Sequence, residues 1–368
     1  MVEWKKLVAV SDVLYGYPFE SSQFSEDSTY MPLIRIRDVK PAKASTYYSG
    51  EFNEAYRIKK GDILVGMDGE FNLGKWDDRD GLLNQRVLKL KGKDGYSIDG
   101  YLFHYMGPVF KKIEKETAGG SVKHLSAKVI NSILIPIPSL EEQTRIVGIL
   151  DTFTSAIDNL KEQIAQRRKQ YEYYRDQLLD LEGKEGVKMK TLGEIGDVCM
   201  CKRIMKDQTS DNGEIPFYKI GTFGGKADAF ITKELFKEYK SKYSYPKLGE
   251  ILISASGTIG RSVVFDGEDA YFQDSNIVWI ANDEKLVTNR YLYYFYQIAE
   301  WKTDGGTIKR LYNYNLKNTV IPVPSLSEQQ RIVTILDTFE ASIQNLEAQL
   351  KQREKQYEYY RNKLLTFE

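Results

Sequence analysis

Histidine and cysteine are nearly missing from this chain of 368 residues, which holds 2 of each. Cys199 and Cys201 lie one residue apart, too few and too close for a disulfide framework. With only His104 and His124 elsewhere they make a poor metal site, so no structural metal is expected. No run of eighteen apolar residues occurs and no signal-peptide pattern follows Met1, so the expectation is a cytoplasmic protein with no membrane segment. Charge of one sign is lacking too. The 52 basic and 52 acidic residues cancel, which is not the profile of a non-specific nucleic-acid binder. Residues 1–134 and 188–320 are faintly positive, 20 basic against 18 acidic and 19 against 17, so nucleic-acid affinity would have to come from local patches or partner subunits.

Catalytic motifs are equally scarce. No Pro-Pro dipeptide exists, which removes the Asp/Asn-Pro-Pro-aromatic motif of amino-methyltransferases even though Phe223-Gly224-Gly225 could suggest a methyl-donor pocket. The stretch Gly69 to Lys75 matches most of a phosphate-binding loop, but Trp76 stands where the magnesium-binding Ser or Thr belongs, so it is read as a turn. With two histidines and no ordered carboxylate cluster, hydrolytic chemistry has no seat.

What is there is a repeat. Residues 135–182 recur without a gap at 321–368, identical at about two-thirds of positions. Each copy opens with a helix start signal, Pro138-Ser139 with Glu142 and Pro324-Ser325 with Glu328, the spacing of a capping box. Apolar residues then step by alternating fours and threes, from Ile146 through Leu150, Phe153 and Ile157 to Leu178, and from Ile332 through Leu336, Phe339 and Ile343 to Leu364. That is a coiled-coil seam, broken once per copy at Arg167 and Arg353, where a polar core residue sets register at a cost in stability. About forty helical residues make a rod of about 60 Å, the length of a spacer. The outer faces match as well as the seams: Gln163, Gln166, Lys169 and Gln170 in one copy, Gln349, Gln352, Lys355 and Gln356 in the other. Packing of one helix on the other does not require this, so these positions are expected to receive the same partner twice.

The intervening regions are rich in hydrophobic and aromatic residues, 42% and 12% of the chain, which suits folded cores. In the first, MPLIRIRDV, GDILVGM and LLNQRVLKL read as strands, and a helix is expected around 101–115. The second echoes it weakly: Leu7, Asp12 and Val13 recur as Leu192, Asp197 and Val198, Pro32 and Ile36 as Pro216 and Ile220, Gly61-Asp62 as Gly249-Glu250, and Gly119-Gly120-Ser121 as Gly305-Gly306-Thr307. The chain is a tandem duplication of a divergent globe and a preserved helix.

This order, with the helix starts IPIPSLEEQTRIV and IPVPSLSEQQRIV and the segments GDILVGMDG and GEILISASGTIG, resembles the DNA-specificity subunits of bacterial type I restriction–modification systems over essentially the whole chain. The resemblance implies an α+β chain: two tandem mixed α/β target-recognition domains, each followed by a long helix, the two helices pairing as an antiparallel coiled coil with pseudo-twofold symmetry. The expected division is 1–134 and 188–320 for recognition, and 135–187 and 321–368 for the helices. It implies double-stranded DNA as ligand, read as a bipartite site, one half per globe. Its implied partners are two modification subunits that carry S-adenosylmethionine and methylate adenine, and motor–nuclease subunits that use ATP and magnesium. The chain itself would hold no cofactor and catalyse nothing. A scaffold with two protein-docking globes and a self-standing adenine methyltransferase are the alternatives, the latter disfavoured by the missing Pro-Pro motif.

Base reading needs paired donors or acceptors, Arg or Lys toward guanine and Asn or Gln toward adenine. In the first globe the candidates are Arg35, Arg37, Lys75, Arg79, Asn84, Gln85, Arg86 and Lys123. In the second they are Lys219, Lys226, Arg261, Gln273, Asn276, Lys309, Arg310 and Asn313. Trp76, Tyr47 and Tyr48 are candidates for stacking on an extruded base, against the plainer role of core aromatics.

Overall fold

The structure, a computed structural model, describes residues 2–117, 123–305 and 309–367. Gly119-Gly120-Ser121 and Gly306-Thr307 lie outside the described residues. The chain divides into two compact units, one formed by 1–161 with 348–368 and the other by 162–347. Each long helix, Leu140–Leu179 and Leu326–Leu364, therefore contributes its beginning to one unit and its end to the other.

Unit 1 is built on a four-stranded antiparallel sheet in the order Ser11–Tyr15, Val87–Gly92, Ile63–Gly66, Leu73–Lys75. The strand Ile63–Gly66 is buried on both faces, so it reads as a continuous apolar run rather than an alternating one. Ile63 and Val65 pack with Leu102, Met106 and Phe110 of the helix Asp99–Glu116, while Leu64 turns to Ile34, Trp76 and Leu83. Each such side chain contributes about 1.5–3 kcal/mol by leaving water. A second, five-stranded sheet runs Phe24–Ser25, Tyr47–Tyr48, Met31–Ile34, Gly81–Leu83, Arg57–Ile58, with one parallel pairing, Leu33 to Leu82. Glu3–Lys6 pairs with Leu134–Ile137, so the chain enters the first long helix directly from a strand.

Two of the sequence-based strands are shorter than expected. MPLIRIRDV is a strand only over Met31–Ile34, and Ile36–Val39 is a helical turn whose Asp38 carboxylate accepts from the Arg35 amide at 2.9 Å. LLNQRVLKL breaks at Arg86, whose φ of 70° is left-handed, and resumes as Val87–Gly92. The helix expected around 101–115 spans Asp99–Glu116. Lys75 ends a strand, Trp76 is a buried core residue whose indole N–H donates to the Arg79 carbonyl at 2.8 Å, and the next helix begins only at Asp99, so residues 69–75 form no phosphate-binding loop.

Unit 2 repeats the plan with Gly196–Met200, Ile277–Asn282, Ile251–Ser254 and Ser262–Val264 in that order, and Lys188–Thr191 pairs with Val320–Val323. The turn before the central strand is the same in both units. Gly61 and Gly249 have φ of 92° and 85°, and the acid that follows each accepts from the amide three residues back, Asp62 from Lys59 at 2.8 Å and Glu250 from Lys247 at 2.7 Å. A positive φ at that point is where glycine is needed. The second sheet is smaller here, Phe230–Ile231, Ile215–Tyr218, Tyr271–Phe272, again with one parallel pair.

The helix starts keep half of the expected capping box. Ser139 and Ser325 each accept from the amide of the Glu three residues on, at 3.2 Å, but the Glu142 and Glu328 carboxylates are taken by Arg145 and Arg331 at 2.7 Å. Within unit 2 the helix segments run antiparallel, since Arg168 meets Glu347 while Tyr174 stacks on Phe339. Within unit 1 Phe153 stacks on Tyr360. The polar break in each seam has the same solution: the Arg167 guanidinium lies 5.8 Å from the Phe339 ring, and that of Arg353 lies 5.8 Å from the Phe153 ring. A cation on an aromatic face keeps its charge at the edge while its stem covers apolar surface.

Candidate nucleic-acid interface

Both units bring three segments to one corner by equivalent backbone bonds. In unit 1 the Met67 amide donates to the Arg86 carbonyl at 2.8 Å, and the Leu125 amide donates to the Met67 carbonyl at 2.7 Å. In unit 2 the Ala255 amide donates to the Asn276 carbonyl at 2.7 Å, and the Leu311 amide donates to the Ala255 carbonyl at 2.9 Å. The end of the central strand thus ties down the turn ahead of its neighbour and the segment near residue 124 or 310. The first corner carries Gln85, Arg86 and Lys123, and the second carries Gln273, Asn276, Lys309 and Arg310. Left-handed residues at both turns, Arg86 at 70° and Ser275 at 51°, give the backbone its reversal.

The side chains of these corners are held but not consumed. Arg86 reaches Asp68 at 3.5 Å and His124 at 3.4 Å and remains half exposed, and Lys123 lies 3.5 Å from Glu114. Arg310 donates to the Ser275 carbonyl at 2.7 Å, Asn276 accepts from the Ser256 hydroxyl at 2.9 Å, and Gln273 accepts from the Ile220 amide at 2.9 Å. Each keeps further donors or acceptors beyond the bond it makes, as base reading needs. Lys309 and Gln85 are exposed.

The remaining candidates fall elsewhere. Arg37 and Arg79 brace the five-stranded sheet of unit 1: Arg37 donates to Ser45 at 2.9 Å and Thr46 at 2.8 Å, and Arg79 donates to the Ser28 and Tyr30 carbonyls with its guanidinium 5.7 Å from the Tyr47 ring. Arg35 begins the Ile36–Val39 turn with its guanidinium 6.0 Å from Phe24. Asn84 is buried, its side-chain Oδ1 accepting from the Gln85 amide at 2.9 Å, which sets the turn rather than facing a ligand. Trp76 and Tyr48 are core residues and Tyr47 is partly buried. Lys75 points to Asp151 at 3.7 Å and to the Phe103 ring at 4.7 Å. In unit 2, Lys219 pairs with Asp228 at 2.8 Å on the loop that also carries the exposed Lys226, and Arg261, from the turn before Ser262–Val264, donates to the Phe223 carbonyl of that loop at 2.8 Å. Asn313 opens the short helix Asn313–Lys317 and is exposed. On the long helices Gln163, Gln166, Lys169 and Gln170, and Gln349, Gln352 and Lys355, are exposed, while Gln356 is partly covered and accepts from Arg353 at 3.0 Å.

Sequence reasoning missed the residues that fix each globe on its helix. Gln143 is fully buried, accepts from the Ile98 amide at 3.1 Å and donates to the Tyr96 and Pro138 carbonyls at 2.8 and 2.9 Å. Gln329 does the same with the Thr288 amide and the Leu286 and Pro324 carbonyls, at 2.9, 2.8 and 3.0 Å. Tyr101 donates to the Pro136 carbonyl at 2.8 Å and Tyr291 to that of Pro322 at 2.9 Å. One turn on, His104 is bonded to Asp151 at 2.7 Å and Tyr357 at 3.0 Å, and in unit 2 Tyr294 donates to Asp337 at 2.6 Å. Burial pushes the His104 pKa below its ordinary 6.5, more than the Asp151 carboxylate raises it. The recurrence of Glu-Gln after each Pro-Ser start was the available signal for the glutamines. Cys201, by contrast, is a buried thiol pushed up to about 12 by desolvation, which makes it inert.

Comparison with known proteins points one way. The family described as type I restriction modification DNA specificity domain matches this chain twice, over residues 1–167 and 184–354. A putative type I restriction enzyme specificity subunit of Haemophilus influenzae is 44% identical over 383 residues, covering 100% of this chain and 96% of the relative. The EcoBI specificity subunit of Escherichia coli is 26% identical, covering 93% of this chain and 80% of its own. Among solved structures, a type I restriction–modification S subunit from M. genitalium has the same fold with a TM-score of 0.64 at 17% identity, covering 100% of this chain and 97% of that one.

Proposed function

Because this chain belongs to the type I restriction modification DNA specificity family, we propose that its two corners each read one half of a bipartite DNA site. The observation that carries this reading is the pair of equivalent backbone corners presenting different side chains, Gln85, Arg86 and Lys123 in one unit and Gln273, Asn276, Lys309 and Arg310 in the other. A preserved backbone with exchanged donors and acceptors is what two readers of unlike sequences require. Regions 1–134 and 188–320 are the recognition parts. The matched exposed faces of the long helices receive modification subunits, which supply S-adenosylmethionine and adenine methylation, and motor–nuclease subunits supply ATP- and magnesium-dependent cleavage. This chain contributes sequence choice and no catalytic group.

The test is to exchange residues 1–134 for the same region of a related chain and map methylated adenines across the genome of cells carrying the hybrid system. One half of the methylated site changes and the other stays. A hybrid that altered both halves together would refute independent reading. The full chain incubated alone with duplex and S-adenosylmethionine transfers no methyl group above background, and transfer by it would restore the self-standing methyltransferase.

A further inference from the structure

Unit 1 carries a basic groove that the base-reading corner does not include. It occupies about 650 Å³ between the helix Asp99–Glu116 and the end of the second long helix, with Phe71, Phe103 and Tyr357 among its walls. Among the described residues, five cations line it from three elements: Lys111, Lys112 and Lys115 from the helix, Lys40 from the end of the Ile36–Val39 turn, and Arg361 from the long helix. Glu358 lines it too, 3.9 Å from Arg361, and Lys112 lies 3.9 Å from Glu116 outside it. The Lys112–Glu116 pair is exposed on both sides and neutralises little, while the mostly covered Arg361 lies 5.5 Å from the Tyr357 ring.

Three lysines near a helix C-terminus are ordinarily a solvated face that also complements the helix dipole. That does not account for Lys40 and Arg361, which reach the same groove from opposite ends of the chain. Nor does the duplication demand it. The equivalent helix of unit 2, aligned by the matching Tyr101 and Tyr291 bonds, is Asn289–Tyr296 and ends before the corresponding positions, which hold Trp301, Lys302 and Gly305. The basic helix extension is particular to unit 1.

We propose that this groove holds the phosphate backbone of duplex DNA, a sequence-independent contact added to the base reading by the corner, on which reading it rests. Lysine ammonium groups are mobile point charges that neutralise phosphates without the fork geometry that arginine brings to a base edge. The groove adjoins the corner side of the unit: Glu114, on the same helix, accepts from the Phe71 amide at 3.1 Å and meets Lys123 at 3.5 Å. In a chain with no net charge, salt-dependent affinity comes from local patches or from partner subunits, and this groove is one such patch.

The test measures binding of the full chain, in complex with its modification subunits, to cognate duplex and to a scrambled duplex of equal length across a salt series. For K111Q/K112Q/K115Q, affinity falls at least tenfold at low salt for both duplexes, and the slope of log K on log salt becomes shallower by about two to three, at about 0.9 per phosphate contact. The methylated motif is unchanged, the unfolding midpoint matches the parent, and K111R/K112R/K115R keeps parental binding. An unchanged slope in a parent that binds DNA overturns this inference alone. So does a loss confined to the cognate duplex, or a loss of the modification subunits with DNA binding intact, which would mark an acidic protein partner. A parent complex that binds no duplex at any salt overturns the base-reading function and this contact together.

Discussion

Replacing Gln143 by leucine keeps about the same volume at a fully buried site and removes one acceptor and two donors. The Ile98 amide, at 3.1 Å, loses its partner, as do the Tyr96 and Pro138 carbonyls at 2.8 and 2.9 Å. An unsatisfied buried polar group costs about 1–3 kcal/mol, and the carbonyl of Tyr96, an exposed residue, lies close enough to solvent to count least. The expected loss is therefore about 3–5 kcal/mol, with no cavity to add to it. Gln329→Leu breaks the same three bonds in the other unit and is expected to cost the same within about 1 kcal/mol. Urea unfolding should be followed with tryptophan emission and circular dichroism together, because two units can unfold in separate transitions. Each variant lowers the midpoint of one transition while leaving the other in place. A loss below about 0.5 kcal/mol for both would show that these bonds are exchanged for water without cost, and would refute the view that they set the joint between globe and helix.

His104→Phe tests the acid sensitivity of unit 1. The native imidazole is held neutral by burial, so its folded pKa lies below the unfolded 6.5; stability is then full above 6.5 and falls as pH drops below it, because only the unfolded state gains the proton. Removing the imidazole should flatten the pH dependence of unit 1 unfolding between pH 6.5 and more acidic values, and an unchanged slope there would assign the effect to another group. Arg86→Ala should relax the methylated motif at one position, at a cost of about 1–3 kcal/mol in cognate binding, while binding to unrelated duplex changes far less. A motif identical to that of the parent at every position would remove Arg86 from the reading set. Gly74→Ala would set a Cβ 2.3 Å from the Val39 carbonyl oxygen, a backbone atom that cannot swing aside, so a loss of about 1–3 kcal/mol is expected by thermal unfolding. A stable variant would mean that the Ile36–Val39 turn yields.

The sequence alone determined the duplication, the two long helices and the family, because these rest on local periodicity and on motifs read without knowing what touches what. The seam from Ile146 to Leu178 and its copy required only spacing, and the helix expected around 101–115 is found as Asp99–Glu116. Backbone conformation was harder where the residue type gives no warning: Arg86 turns left-handed inside what reads as a strand, since the bonds of the corner hold it there rather than any preference of arginine. Arg37, Arg79 and Asn84 look like base readers in sequence because polarity is visible there and hydrogen-bond partners are not; the fold gives them carbonyls, hydroxyls and a turn of their own to hold. Only tertiary structure could assemble Arg86 with Lys123, Asn276 with Arg310, or Lys40 with Arg361, since each pair is joined by strand pairing or helix packing between segments far apart in the chain. Side-chain type sets what a residue can bond. Which bond it makes is decided by the neighbours that folding brings within about 3 Å.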